Sequence, residues 1–175
     1  MTEHTPAKAL GHGPLQQLSP PGLLDGAARL AVAGVAVAQP NWDGVILLPG
    51  DPGHWVHLSA GEVISFQSFL TLRLATALGA GRAADLTALH DTMARPERLA
   101  MQLNSAELGG NSDEILGHLI GAELAAARAY WLGQQVIILG EGGIADAYTQ
   151  VLEAQGVPVT RGDRAASEAA GQAAL

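Results

Sequence analysis

The sequence contains no cysteine among its 175 residues. This absence excludes disulfide bonds, thiolate metal sites and cysteine nucleophiles. Basic residues are also few, because nine Lys and Arg stand against seventeen Asp and Glu and give a formal net charge of −8. Nucleic-acid backbones and anionic membrane surfaces are bound by clusters of Lys and Arg. The composition therefore predicts neither nucleic acid nor membrane as a partner.

Long hydrophobic runs are missing as well. No apolar stretch reaches the roughly 18 residues of a membrane span, and the N-terminus shows no signal-peptide pattern. We therefore expect a cytoplasmic protein. Aromatic residues make up only 4% of the chain and hydrophobic residues 48%, so Ala, Leu, Val and Ile must form most of the core. At this length a single domain is expected.

A long helix is predicted to begin at Asn111 or Ser112. Asn111 followed by Glu114 resembles a capping box, and Gly133 is a plausible stop. Apolar residues recur at helical spacing, which predicts one buried face. These residues are Ile115, Leu116, Leu119, Ile120, Leu124 and Ala127.

A strand, a glycine turn and a helix follow. Val136 to Leu139 is an unbroken apolar run, typical of a strand covered on both faces. Gly140, Gly142 and Gly143 allow a tight turn. A helix from Ile144 to about Gly156 and a further strand before Asp163 complete a parallel crossover. Free N–H groups at the helix start could bind a nucleotide, or the glycines could simply terminate a strand.

The N-terminal part divides at Gly22. Residues 1–21 hold four prolines and predict a flexible arm without regular structure. Residues 22–38 predict a mostly apolar helix that Pro40 ends.

Strands and short helices fill the middle of the chain. The predicted elements are a strand over 45–48, a hairpin of 54–58 with 62–69, a helix over 71–78, short helices over 83–89 and 99–103, and a final helix over 165–175. The order predicts an α/β domain over 22–175, with a mixed sheet of about five strands, flanking helices and a helical insertion at about 79–110. Three meandering strands followed by crossovers are typical of the ribonuclease-H-like half of an actin-type kinase, in the actin-like ATPase superfamily.

Several segments together resemble the C-terminal half of the 2-dehydro-3-deoxygalactonokinases, which are also called 2-keto-3-deoxygalactonate kinases. The resemblance covers nearly everything from about Gly22 to the end, and residues 119–133 are its most specific part. The similar segments are Trp42-Asp43-Gly44-Val45, Leu47-Leu48-Pro49-Gly50, Trp55-Val56, Ser59-Ala60-Gly61-Glu62, Phe66 to Thr71, and Leu119-Ile120-Gly121-Ala122-Glu123 through Gly133.

The resemblance implies a sugar-acid kinase that uses ATP and Mg²⁺ in galactonate catabolism. In such kinases ATP and the sugar acid lie in a cleft between two ribonuclease-H-like halves. The resemblance implies that the cofactor-binding turn is Gly140, Glu141, Gly142, Gly143 and Ile144. It implies that the residues facing the sugar acid are Gly50, Asp51, His54 and Trp55.

The sequence also departs from the family. The Asp-x-Gly-[Ser/Thr]-[Ser/Thr] phosphate loop of the family's first half does not occur, and some hundred residues of that half have no counterpart. The family's Arg-Gly-Glu-Glu corresponds to Asp25-Gly26-Ala27-Ala28. Its Pro-Gly-Thr-His-x-Lys-Trp loop corresponds to residues 49–55, and its Thr-Gly-Glu corresponds to Thr71-Leu72-Arg73.

These departures lead to two hypotheses. The first is a truncated family member that is inactive alone, with no catalytic residue assigned, because phosphoryl transfer depends on positioning and charge neutralisation from both walls of the cleft. The second is a non-catalytic interaction module or pseudokinase that forms a homodimer or docks on a full-length kinase, through the apolar surface that the missing half would cover.

A metal hydrolase built on Asp51, His54 and His57 is a third possibility. Residues three apart on a strand point to opposite faces, so the two histidines are not expected to share an ion and no metal ligand is assigned. His54 is expected at a turn edge and His57 half-exposed. Solvated positions are expected for His90, His118 and Glu141, and Glu123 and Arg128 are expected to be surface or interface charges.

Overall fold

The computed structural model describes residues 3–175. In these residues nine strands are present: β1 (Glu3–His4), β2 (Ala7–Lys8), β3 (Leu15–Leu18), β4 (Pro21–Leu24), β5 (Gly44–Leu48), β6 (Gly53–Ser59), β7 (Glu62–Phe69), β8 (Val136–Leu139) and β9 (Val159–Gly162). The helices are α1 (Gly26–Ala38), α2 (Thr71–Ala77), α3 (Leu86–Ala94), a 3-10 turn (Pro96–Arg98), α4 (Leu99–Gly109), α5 (Ser112–Ala126), α6 (Arg128–Trp131), α7 (Gly142–Ala154) and α8 (Arg164–Ala173).

A mixed sheet runs through the middle of the fold. Its strand order is β2-β7-β6-β5-β8-β9, and β1, β3 and β4 form a separate small sheet. β5, β8 and β9 are parallel, whereas β2, β7, β6 and β5 pair in antiparallel fashion. The α/β class and the mixed sheet are confirmed. About five strands were expected, and the sheet has six because β2 adds a short strand at the edge.

Two apolar cores lie on the two faces of this sheet. Alternating strand residues divide between them, so that Leu47 and Trp55 face the core under α5 and α7, while Leu48 and Val56 face the core under α1. All four residues of β8 are buried, as predicted for a strand with helices on both sides. The crossover from β8 through α7 to β9 is also confirmed.

The N-terminal arm is the main correction. The prediction of no regular structure is wrong for residues 3–21, and its first two positions lie outside the described residues. Arg29 of α1 is fully buried, and its guanidinium donates to the carbonyls of Lys8 and Ala9 at 2.9 and 3.1 Å and pairs with Glu3. Because burying a guanidinium is costly unless its donors are satisfied, the arm folds around this side chain. Gly11 leaves the necessary room, since a Cβ there would lie 2.1 Å from Arg29 Nη2.

The first helix begins later than predicted. Residues 21–24 pair as β4 with β3, and the Asp25 carboxylate then caps α1 by accepting from the Ala28 N–H at 2.8 Å. The helix ends before Pro40, as expected.

The long helix α5 starts as predicted but is buried on more than one side. Gly117 and Gly121 face α3 so closely that a Cβ would come within 2.3 Å of the carbonyl oxygens of Asp85 and Leu89. The helix therefore packs against α3 as well as against the sheet. The single-stripe prediction is wrong because these glycines form a second contact face. The helix also breaks at Ala127 and continues as α6.

The remaining predicted elements are present, with shifted ends. β6 and β7 form the predicted hairpin, α2 and α8 occur at the expected places, and α3 and α4 are longer than expected. In residues 3–175 no helix is long and apolar enough to cross a membrane.

Candidate functional site

The parallel strands end together at one edge of the sheet. β5 runs into Pro49-Gly50-Asp51, and its neighbour β8 runs into Gly140-Glu141. The two loops touch, since a Cβ on Gly140 would lie 3.3 Å from the Pro49 ring. Arg161 at the end of β9 donates to the Gly140 carbonyl at 2.9 Å. Ligands of open α/β sheets bind outside the carboxyl ends of the strands, so this edge is the candidate site.

The glycine turn opens α7 with unoccupied backbone donors. Gly142 has a φ of +74° and nothing lies within 4 Å of where its Cβ would be. Glu141 stands at the N-cap but its side chain makes no capping hydrogen bond. The N–H groups of the first turn are thus available to a ligand. A Cβ on Gly143 would lie 2.7 Å from the Arg82 carbonyl oxygen, so this position requires glycine.

A groove of about 370 Å³ borders this turn. One wall is the start of α7, and the other is formed by α2 and the loop that follows it, with α5 at the base. Most of its surface is apolar. The residues that line it are Leu72, Ala75, Thr76, Ala80, Gly81, Arg82, Leu116, Glu141, Gly142, Gly143 and Ile144. Four of the five predicted cofactor residues therefore line one cavity, and Gly140 leads into it.

The four predicted sugar-acid residues separate into two pairs. Gly50 and Asp51 lie at the accessible edge, where Asp51 accepts from Arg73 Nε at 2.9 Å. His54 and Trp55 are buried, with exposed fractions of 2% and 0%. They point into the two different cores, so neither side chain reaches the surface of the site.

His54 is an uncharged residue of the core rather than a turn-edge histidine. Its Nδ1 lies 2.9 Å from Ser68 Oγ, and its ring packs edge-on against Phe66. Burial lowers its pKa to about 4; the Asp25 carboxylate opposes this shift, and the Arg164 guanidinium adds to it. The imidazole is therefore neutral at physiological pH.

Glu123 is buried inside the domain, so the prediction of a surface or interface charge is wrong. Its carboxyl group accepts from Trp55 Nε1 at 2.8 Å and from the Thr71 hydroxyl. Burial raises the pKa of Glu123, while these hydrogen bonds oppose the shift. Trp55 and Tyr148 pack edge-on, with ring centroids 6.2 Å apart.

His118 is also buried, contrary to prediction. The Thr92 hydroxyl donates to Gln102 at 2.8 Å and therefore accepts from His118 Nδ1, 2.8 Å away. His90, Arg128 and Glu141 are exposed and His57 is half-buried, as expected. His54 and His57 occupy opposite faces of the sheet. Among residues 3–175, no three His, Asp or Glu side chains lie close enough to hold a metal ion.

Sequence reasoning missed the arginines of this edge. Arg161 pairs with Asp146 at 2.8 Å, and Arg164 pairs with Glu168 at 2.9 Å. Arg164 Nη1 lies 3.5 Å from the position of a Cβ on Gly50, so the start of α8 borders the Gly50 loop. The position of Arg161 and Arg164 at the end of β9 could have predicted this, because residues that follow a parallel strand lie at the carboxyl edge of the sheet.

Comparisons with known proteins agree with this architecture. The crystal structure of a candidate 2-dehydro-3-deoxygalactonokinase from Sinorhizobium meliloti superposes with a TM-score of 0.85 and 24% identity, over 99% of this chain and 72% of that chain. The likeness shows the ribonuclease-H-like fold. No curated protein matches the sequence. The family described as 2-keto-3-deoxy-galactonokinase matches residues 29–175. The chain therefore belongs to the 2-keto-3-deoxy-galactonokinase family.

Proposed function

We propose that this chain binds ATP in the groove beside Gly140–Ile144 and serves the ATP-dependent phosphorylation of a 2-keto-3-deoxy sugar acid. Family membership supports the reaction class. The observation that carries the proposal is the junction of two loops, because the glycine turn of the groove touches the Pro49-Gly50-Asp51 loop. A nucleotide in the groove would direct its phosphates toward the loop assigned to the sugar acid.

The groove suits adenosine in chemical character. Leu72, Leu116 and Ile144 provide apolar surface for a flat base. The free N–H groups of α7 and its positive dipole end favour an oxygen-rich or anionic group. Glu141 is exposed at the same turn, where its carboxylate can accept a hydrogen bond from a ribose hydroxyl.

The sugar-acid side depends on exposed groups. Gly50 and Asp51 remain the proposed contacts, with Arg73 and Arg164 as the nearby cations that suit a carboxylate. His54 and Trp55 would act indirectly, because their burial fixes β6, the strand that follows the Gly50 loop. A neutral, buried His54 offers no positive charge to the substrate.

Magnesium is assigned no ligand in this chain. Asp51 is already paired with Arg73, and no cluster of metal-ligating side chains occurs in the described residues. The ion that accompanies ATP would be held mainly by the phosphates and by water.

Turnover by these 175 residues alone is not expected. They contain no Asp-x-Gly-[Ser/Thr]-[Ser/Thr] phosphate loop, and such cradles position and neutralise the transferred phosphoryl group. We therefore propose that phosphoryl transfer requires a complementary lobe from outside these residues, and that the chain is inactive without it.

An interaction module is the second candidate function. Leu70, Leu74 and Leu78 recur every four residues along α2 and its ends, with exposed fractions of 47%, 47% and 38%. An apolar row of this kind favours docking to a second copy or to a full-length kinase. Gel filtration at increasing concentration tests self-association, and a strict monomer that binds neither ATP nor a full-length kinase would exclude this function.

Calorimetric titration with ATP and magnesium tests the nucleotide proposal. We expect saturable binding that Gly142→Val weakens at least about tenfold, because valine is strained at a positive φ and would obstruct the turn. Gly156→Val is the matched control, since Gly156 has a φ of +76° at the far end of α7. Absence of binding, or equal loss in both variants, would refute the assignment.

A further inference from the structure

One buried carboxylate joins the elements that enclose the groove. Glu123 belongs to α5 and accepts hydrogen bonds from Trp55 of β6 and Thr71 of α2, and Tyr148 of α7 packs edge-on against Trp55. Trp55 donates to Glu123 through the indole N–H and Thr71 through the hydroxyl. Neither donor is a cation, and the neighbouring Tyr148 has a pKa raised well above its usual value, mainly by burial.

The partners lie directly behind the groove walls. Thr71 precedes Leu72, the first groove residue of α2, and Tyr148 lies one turn after Ile144 on α7. Helix α5 contributes Leu116 to the same groove. A change at the carboxylate can therefore displace both walls without touching a ligand.

Helix α2 depends on this contact more than a longer helix would. It has seven residues, no side-chain N-cap and an exposed apolar row, and so short a helix is marginal by itself. Its first residue, Thr71, is fixed by the hydrogen bond that its hydroxyl donates to the buried carboxyl group of Glu123.

We propose that Glu123 is the positioning residue of the groove, and that its carboxylate holds α2 and the first turns of α7 at the separation a nucleotide needs. The nucleotide part rests on the proposed function; the positioning of the helices does not. Replacement by Gln tests it at nearly constant volume, because Gln presents one NH₂ group where the carboxylate accepts hydrogen bonds.

Hydrogen exchange in the nucleotide-free protein gives the first measurement. In Glu123→Gln we expect amides of residues 71–78 and 142–148 to exchange about tenfold faster, the factor that corresponds to about 1.4 kcal/mol. Ile120→Val is the control, because it removes a buried methylene from the same helix without removing a hydrogen bond. Equal exchange in wild type and Glu123→Gln, or equal acceleration in the control, would overturn the proposal.

Calorimetry with ATP gives the second measurement. We expect Glu123→Gln and Thr71→Val each to weaken binding about tenfold, and the double variant to be no weaker than Glu123→Gln. Additive losses would show that the two residues act separately and would contradict the positioning role. If Glu123→Gln does not fold, Thr71→Val carries both measurements. If wild type binds no ATP while exchange changes as expected, the proposed function fails and the positioning of α2 stands.

Discussion

Acidification should destabilise this protein through His54, a single buried side chain. The ring is 2% exposed, and its burial lowers its pKa from 6.5 to about 4. Between about pH 6.5 and pH 4, His54 is therefore protonated in the unfolded chain but remains neutral in the folded protein. The stabilisation is fully present above that pH and is lost as the pH falls toward 4.

The size of the loss follows from the pKa difference. Each unit of difference corresponds to about 1.36 kcal/mol, so a shift from 6.5 to about 4 sets an upper limit of about 3.4 kcal/mol. The linkage relation places about 2 kcal/mol of this loss by pH 5 and about 3 kcal/mol by pH 4. Such a change is a large part of the stability of an ordinary domain.

Urea denaturation at a series of pH values, compared between wild type and His54→Gln, measures this loss. Carboxylates that titrate in the same range contribute to both proteins, so the difference in pH dependence isolates His54. His90→Gln is the control, because His90 is exposed. NMR titration of the His54 ring should give a midpoint near pH 4. A midpoint near 6.5, or the same loss of stability in both proteins, would show that burial does not control this side chain.

Two further substitutions test the packing of the fold. Gly121→Ala should lower the free energy of unfolding by about 1–3 kcal/mol in urea denaturation, because its Cβ would meet the Leu89 carbonyl oxygen at 2.3 Å. Gly109→Ala is the control and should change the free energy of unfolding little, because its Cβ would meet only the flexible side chain of Asn111. An equal effect of the two substitutions would contradict the close contact at Gly121. Arg29→Met should lower the free energy of unfolding by about 3 kcal/mol and expose residues 3–18 to proteolysis. Arg128→Met is the control and should do neither, because Arg128 is exposed. If residues 3–18 stayed resistant to proteolysis in Arg29→Met, Arg29 would not be the residue that orders the N-terminal segment.

Local patterns predicted much of the fold. The buried strand β8, the glycine turn and α7 were placed correctly because each has a short-range signal: an apolar run, a positive-φ glycine and helical spacing. The N-terminal strands were missed because their order comes from Arg29, which lies on another element. The second face of α5 was missed because Gly117 and Gly121 have no apolar side chain to mark a contact.

The part of the candidate site that is formed by backbone atoms could be predicted from the sequence. Gly142 and Gly143 are required by a positive φ and by a close carbonyl, and sequence shows glycine directly. The burial of His54 and Trp55 was not predictable from the loop motif alone, since it depends on which core each side of β6 faces. Glu123 was misassigned because a helical glutamate is usually exposed, and its partners are 52 and 68 residues away.

The incorrect predictions for the N-terminal segment, for His54 and for Glu123 have one cause, which is the burial of an ionisable side chain. The sequence predicted His54 at a turn edge and Glu123 as a surface or interface charge, and it gave no prediction for Arg29. All three residues are buried and join segments that are distant in sequence. A buried polar group, charged or neutral, is tolerated only where partners satisfy its hydrogen bonds, and the meeting of such partners is a property of the folded chain. At Glu123 the convergence ties together the walls of the proposed nucleotide groove. Glu123, which local patterns classified as a surface or interface charge, is therefore the residue through which packing and the proposed binding site are coupled.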